Sequence, residues 1–144
     1  MKLSQICDYK DKLLDAGLQV SAPRLAIAGY VLSTDSHPTA EEVKVEVEKF
    51  FPTVSVATVY NTLNLFVEKG LLKTLRDPDS EAVRYDCNTS AHHHFIDEKS
   101  GRIMDVMLDT KDFPLKSNAL GDEYEVSSVE VVFKGRFKGS KKGK

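Results

Sequence analysis

The chain has 144 residues, of which 29% are charged and 8% aromatic, and its formal net charge is −2 at neutral pH. This length allows one sizeable core or two small ones, and no apolar run approaches the roughly 18 residues that a membrane span needs. The start of the sequence has no signal-peptide pattern, so we expect a cytoplasmic protein without a membrane partner.

The cysteine content and the charge distribution narrow the possible classes of protein further. Cys7 and Cys87 lie far apart and outside any C-x-x-C spacing, which argues against a disulfide framework and a tetracysteine zinc site. Residues 1–86 carry 10 basic and 13 acidic side chains, and residues 87–144 carry 10 and 9. The chain therefore lacks the global basic charge typical of nucleic-acid binders, and any DNA contact must be local.

Four helices are predicted in the first half of the chain. Ser21 and Ser55 are N-cap residues in front of two of them, and Thr39 forms a capping box with Glu42 in front of a third. The fourth helix has apolar residues at i, i+3, i+4 and i+7. With their caps, the predicted helices span about residues 3–16, 21–33, 39–51 and 55–70.

Short strands dominate the rest of the sequence. Two of them flank the turn-rich segment 76–80, and helices followed by such a hairpin are typical of a winged-helix unit. The predicted strands cover about residues 71–75, 82–85, 92–97, 102–108 and 124–134, with a short helix near 110–120. We predict an α+β chain with a winged-helix DNA-binding domain at 1–86, a hinge at 87–91, an α/β domain at 92–134 and a basic flexible tail at 135–144.

Three consecutive histidines, His92, His93 and His94, are the strongest chemical signal. On a strand, His92 and His94 share one face while His93 takes the other. A hairpin that turns on Lys99-Ser100 sets Asp105 opposite His94. The candidate metal ligands are His37, Asp86, His92, His94 and Asp105, whose nitrogen and oxygen atoms suit Fe(II), Mn(II) or Zn(II).

Each candidate ligand also has a purely structural interpretation. A histidine pair is often a surface feature, an aspartate in a turn often forms a salt bridge, and His37 could be an ordinary loop residue. Two other classes of protein stay open: an enzyme with a two-His-one-carboxylate iron site at His92, His94 and Asp105, and a metal-free interaction module. So short a chain offers little sequence for a substrate pocket, and we predict no enzyme.

The fourth helix has the features of a recognition helix of a helix-turn-helix module. Ala57 and Thr58 suit thymine methyl groups, Asn61 suits an adenine edge, and Tyr60 suits a base or a phosphate. The alternative is an amphipathic helix that only packs its apolar face. The predicted DNA-binding residues are Ser21, Arg24, Ser55, Ala57, Thr58, Tyr60 and Asn61.

Four motifs occur in the order found in one protein family. They are Ser21-Ala22-Pro23-Arg24, His37-Pro38-Thr39-Ala40, the string from Ser55 to Leu63, and His92-His93-His94. Over about residues 10–135 the chain resembles the ferric uptake regulator (Fur) family. The resemblance implies a homodimeric, metal-dependent bacterial transcription regulator in which a winged-helix domain is hinged to an α/β dimerisation domain. It also implies a double-stranded, palindromic operator as the partner.

Within that family the resemblance is to the peroxide-sensor branch. The five candidate ligands fall on its regulatory-metal positions, which implies Fe(II) or Mn(II) as the ion, with Zn(II) as a further candidate. It also implies that peroxide oxidises His37 and His92, so that the repressor leaves its DNA. The alternative is an iron, manganese or zinc availability sensor of the same family that does not sense peroxide.

The chain departs from the family at the C-x-x-C pairs of a structural zinc site. Asp97 and Ser100 stand at the first pair, and Phe137 and Ser140 stand at the second, so we predict no structural zinc. A further metal site is also expected to be missing, which leaves one metal per subunit. Strand pairing and apolar packing should stabilise this domain instead, through Ile103, Val106, Leu108, Val129, Val131 and Phe133.

Overall fold

A computed structural model describes residues 3–109 and 119–139 of the chain. The chain divides into two compact units, Met1–Thr89 and Ser90–Lys144. The helices are α1 (Leu3–Asp15), α2 (Ala22–Val31), α3 (Ala40–Val47) and α4 (Val56–Glu68), and the strands are β1 (Lys73–Arg76), β2 (Val83–Asp86), β3 (His93–Asp97), β4 (Ile103–Val106) and β5 (Val132–Gly135). None of the helices in the described ranges is long and apolar enough to cross a membrane.

The predicted helix caps of the first unit are confirmed. The side chains of Ser21 and Ser55 accept hydrogen bonds from backbone N–H groups three residues on, and Thr39 and Glu42 form a complete capping box. The third helix ends earlier than predicted, at Val47 rather than near residue 51. Its last carbonyl accepts from the N–H groups of both Phe50 and Phe51, and this turn ends the helix before Pro52.

The core of the first unit lies between the helices. Val59, Leu63 and Phe66 of α4 are fully buried at i, i+4 and i+7, the spacing that the sequence showed. Each such side chain stabilises the fold by about 1.5 to 3 kcal/mol through burial of apolar surface. The antiparallel hairpin β1–β2 completes the winged-helix pattern and pairs Lys73 with Asp86. The predicted α+β fold class is confirmed.

The second unit contains a three-stranded sheet in the order β4-β3-β5. Strands β3 and β4 are antiparallel with His94 opposite Asp105, which confirms the predicted register. Strands β3 and β5 run parallel, and His94 pairs with Val132. In this register His94 lies between Asp105 of β4 and the start of β5.

The predicted strand at 124–134 is wrong over most of its length. Residues 124–130 are exposed and have no regular secondary structure, and the strand that forms is Val132–Gly135. Alternation of apolar and polar residues predicts a strand only where a partner strand is available, and β5 is the segment that pairs with β3. The sheet therefore extends one residue into the predicted tail. The predicted helix at 110–120 falls mostly outside the described residues.

The apolar residues expected to stabilise the second unit have different environments. Ile103 is buried at 5% exposure, whereas Val129 and Phe133 are 49% and 40% exposed. These two side chains therefore do not form a core within the single chain. Their exposure leaves an apolar surface on the segment around β5.

Other contacts occupy the positions expected for a structural zinc site. The hydroxyl of Ser100 donates to the Asp97 carboxylate at 2.7 Å, and the backbone N–H of Lys99 donates to the same carboxylate at 3.1 Å. The ring of Phe137 packs edge-on against that of Phe95, with centroids 5.7 Å apart. A hydrogen-bonded turn and an aromatic pair thus hold the chain at positions where the pattern of the Fur family, which the sequence resembles, has C-x-x-C pairs.

The Asp97 turn leads to a pH-dependent prediction. The hydrogen bond from Ser100, together with the backbone N–H groups, holds the pKa of Asp97 below its ordinary value. Because the folded-state pKa is lowered, the stabilisation is present above about pH 4 and is lost as the pH falls through the folded-state pKa. We expect Asp97→Asn to lower the thermal midpoint at pH 7, and the difference from the original chain to shrink towards pH 3 in melts followed by circular dichroism. A difference that stays constant over this range would contradict the prediction.

Candidate metal centre and nucleic-acid interface

The first unit holds a buried histidine–aspartate pair. His37 Nε2 and Asp86 Oδ2 lie 3.5 Å apart, and their side chains are 1% and 4% exposed. His37 has φ 53°, a left-handed conformation that costs a non-glycine residue about 1 to 3 kcal/mol and is typical of functional sites. The Arg84 guanidinium donates to the His37 carbonyl at 3.1 Å, and the Tyr85 N–H donates to the Pro38 carbonyl. Strand β2 thus holds the His37 loop beside Asp86.

The second unit holds the other three candidate ligands. His92 Nε2 is 3.4 Å and His94 Nε2 is 3.5 Å from Asp105 Oδ1. The two histidine side chains are 2% and 5% exposed, and Asp105 is 31% exposed. His93 instead accepts the backbone N–H of Val131 through Nδ1. The alternation predicted for the three histidines is therefore present.

Hydrogen bonds on the far edges of the two rings indicate their tautomers. His92 Nδ1 lies 2.7 Å from the Ser90 carbonyl oxygen, and His94 Nδ1 lies 2.9 Å from Glu130 Oε1. A carbonyl or a carboxylate can only accept, so each Nδ1 carries the hydrogen. In a neutral imidazole the lone pair is then on Nε2, which faces Asp105 in both cases.

This convergence of lone pairs fits a metal ion. In this neutral tautomer both Nε2 atoms are electron-pair donors, and so is the Asp105 carboxylate oxygen that lies 3.4 to 3.5 Å from them. Ligand atoms about 2.1 Å from one ion, at angles of about 90 to 110°, lie roughly 3.0 to 3.4 Å from each other. The spacing of His92, His94 and Asp105 is therefore close to that of ligands sharing a divalent cation.

The predicted DNA face of α4 is accessible. Ala57, Thr58, Tyr60 and Asn61 are exposed, whereas Val59 between them is buried. Ser55 caps the helix, and Ser21 caps α2. The Arg24 guanidinium donates to the Gln19 carbonyl at 2.9 Å, which directs the side chain along the surface.

Tyr60 makes a contact that the sequence did not indicate. Its hydroxyl donates to Glu41 Oε1 of α3 at 2.7 Å. This hydrogen bond lowers the pKa of Glu41 and raises the pKa of Tyr60, because it favours the ionised carboxylate and the neutral phenol. The hydroxyl predicted to meet a base or phosphate is thus bonded within the protein in this structure.

A protein-family comparison decides where the chain belongs. The model of the ferric uptake regulator family matches residues 15–134, well over half of the sequence. The chain belongs to the ferric uptake regulator family. The resemblance drawn from the four motifs is confirmed.

Individual Fur-family relatives support the same assignment. The chain is 44% identical over 93 residues to the peroxide-responsive repressor PerR of Staphylococcus epidermidis, an alignment that covers 65% of this chain and 61% of that protein. It thus spans less than two thirds of the length of this curated relative. A crystal structure of the Vibrio cholerae ferric uptake regulator matches with a TM-score of 0.71 at 24% identity, covering 89% of this chain and 98% of the other.

A solved structure of PerR from Streptococcus pyogenes, presented as the structural basis for peroxide sensing and gene regulation, is also similar. It matches with a TM-score of 0.53 at 25% identity and covers 93% of this chain and 91% of that one. The likeness to the V. cholerae structure shows the Fur-family fold. The motifs that predicted this family also predicted the fold.

Sequence reasoning missed the residues that orient the candidate ligands of this Fur-family chain. Arg84 carried a signal, because it lies in the string Arg84-Tyr85-Asp86 that follows the family pattern. Ser90 acts through its backbone carbonyl, for which side-chain identity gives no signal. Glu130 is 36 positions from His94 and lies in a segment that the sequence assigned to a strand.

Proposed function

We propose that the chain is a metal-dependent, DNA-binding transcriptional repressor that responds to peroxide and is not an enzyme. The observation that carries the proposal is the set of two Nε2 lone pairs and one carboxylate converging at His92, His94 and Asp105. Membership of the Fur family and the named function of the staphylococcal relative support it.

We propose Fe(II) or Mn(II) as the regulatory ion, with Zn(II) as a weaker candidate. The donors are imidazole nitrogens and carboxylate oxygens without thiolate, a set that suits these three ions. We further propose that His37 and Asp86 join His92, His94 and Asp105 on one ion. Such an ion would link residues on both sides of the hinge predicted at 87–91, and its binding would favour one arrangement of the DNA-binding heads.

We propose that the N-terminal half of α4 enters the major groove of an operator duplex. The exposed residues Ala57, Thr58 and Asn61 are small or polar, which suits contacts with thymine methyl groups and adenine edges. With a net charge of −2, phosphate contacts must depend on a few residues such as Arg24. Ser21, Ser55 and Tyr60 complete the proposed DNA face, and Tyr60 would have to exchange its bond to Glu41 for one to DNA.

We propose a homodimer that acts on a palindromic operator in the cytoplasm. The exposed apolar side chains of the second unit, including Val129 and Phe133, give a second copy a surface to cover. A two-fold dimer presents two recognition helices, which matches a palindromic site.

One cleft of the first unit has no candidate iron ligand in its lining. A cleft of about 530 Å³ lies in the first unit, beside Glu41, Tyr60, Arg76 and Tyr85. Its lining includes none of the five candidate ligands.

Metal-dependent DNA binding tests the proposal. Duplexes selected from a random library with the Mn(II)-loaded protein should bind about 5- to 150-fold more weakly after chelation, the usual range of coupling between two sites. Binding would be measured by fluorescence anisotropy at constant ionic strength. Asn61→Ala should weaken binding to the selected duplex by about tenfold or more and leave Mn(II) affinity unchanged. Equal binding with and without metal would overturn the proposal.

A further inference from the structure

The side chain of Glu130 contacts a candidate metal ligand from outside the predicted set. Its Oε1 accepts the hydrogen bond of His94 Nδ1 at 2.9 Å, on the ring edge opposite Nε2. Glu130 itself is 51% exposed, whereas His94 is 5% exposed. A surface carboxylate thus reaches a buried imidazole.

Backbone hydrogen bonds hold Glu130 in place through the next residue. The N–H of Val131 donates to His93 Nδ1 at 2.9 Å, and the carbonyl of Val131 accepts the N–H of His94 at 3.2 Å. Both contacts fix Val131 against β3, just before the parallel pairing of β5 begins. The carboxylate beside His94 is therefore positioned by the sheet and not only by its own rotamer.

The two histidines that face Asp105 differ in their outer partners. His92 Nδ1 donates to the neutral backbone carbonyl of Ser90, and His94 Nδ1 donates to the carboxylate of Glu130. An anionic acceptor increases the electron density of the imidazole and strengthens Nε2 as a ligand. It also fixes the tautomer in which Nε2 is unprotonated.

We infer that Glu130 is a positioning residue of the metal centre, which holds His94 with Nε2 towards Asp105 and raises the affinity of the site for a divalent cation. This inference rests on the metal site of the proposed function. Because Glu130 is half exposed, the contribution of its hydrogen bond to the stability of the fold is small. Its effect should therefore appear in metal binding and in the state of the His94 ring.

Mn(II) binding to three variants of the full chain tests this role. Electron paramagnetic resonance of free Mn(II) would give the affinity of the original chain, Glu130→Ala and Glu130→Gln. Loss of an outer partner lowers metal affinity by about 10- to 100-fold, which we expect for Glu130→Ala. Glu130→Gln keeps an acceptor oxygen without the charge and should lie between the two.

A metal-free readout separates positioning from a general effect of charge. In ¹⁵N NMR spectra of the apo protein, His94 should be in the Nδ1–H form in the original chain and a mixture of tautomers in Glu130→Ala. Glu125→Gln removes an exposed charge from the same segment and should change neither readout.

The outcomes distinguish the two proposals. Equal Mn(II) affinity of the original chain and Glu130→Ala would overturn the role of Glu130 alone. An equal loss in Glu125→Gln would assign the effect to long-range charge and overturn it too. Failure of the original chain to bind Mn(II) would overturn the metal site of the proposed function together with this inference.

Discussion

His94→Ala is expected to lower Mn(II) affinity by more than about 100-fold, since the loss of an outer-shell partner alone costs about 10- to 100-fold. His94 supplies one of the two Nε2 atoms near Asp105, and its ring lies 4.5 Å from that of His92. Without it, the second unit keeps only His92 and Asp105 as ligands, and the proposed ion loses one of its three imidazoles. Titration of free Mn(II) by electron paramagnetic resonance measures the effect, and DNA binding should lose its response to the metal.

The neighbouring histidine provides a matched control for this variant. His93 lies on the same strand, but its Nδ1 accepts the N–H of Val131 and takes no part in the set around Asp105. His93→Asn keeps an acceptor for that N–H and should bind Mn(II) as the original chain does. Thermal melts would show that both variants fold. If His93→Asn lost as much affinity as His94→Ala, the face assignment of the histidines would be wrong.

Hydrogen peroxide is expected to release DNA from the Fe(II) form of the protein and to spare the Mn(II) form. One oxygen atom of peroxide enters an imidazole ring and the other leaves as water, so the peptide gains one oxygen. Bound Fe(II) would supply the redox chemistry that Mn(II) lacks towards peroxide. We expect the added oxygen at His37 or His92, both of which are almost fully buried beside a carboxylate.

The measurement combines mass spectrometry with DNA binding on the same samples. An oxidised ring is a poorer ligand, so affinity for the selected duplex should fall by about 5- to 150-fold, within the usual range of allosteric coupling. His92 and His93 are consecutive in the sequence and fall in the same peptide. Fragmentation of that peptide must therefore show which of the two rings carries the added oxygen. If both metal forms still bind the selected duplex after peroxide treatment, the chain is an iron, manganese or zinc availability sensor of the same family.

Local sequence signals predicted those parts of the fold that depend on neighbouring residues. The caps at Ser21, Thr39 and Ser55 act over three residues, and each forms as predicted. The pairing of His94 with Asp105 follows from the position of one tight turn, because each strand residue then has a fixed partner. These contacts join residues that are close together in the sequence, and local patterns could therefore predict them.

The contacts that were missed depend on chain segments far apart in sequence. The hydrogen bond of Tyr60 to Glu41 requires the packing of α4 on α3, which no local pattern specifies. Glu130 meets His94 because β5 lies parallel to β3, a pairing that the alternation of residues 124–134 did not reveal. The histidines themselves were visible, but the groups that set their tautomers were not.

The turn formed by Asp97 and Ser100 and the ring pair of Phe95 and Phe137 contain no sulfur. Contacts of this kind give up no electrons to peroxide, so an oxidant that modifies an imidazole elsewhere leaves them intact. These two contacts offer no thiol for peroxide to oxidise, so we expect both of them to persist in the oxidised protein and the second unit to stay folded.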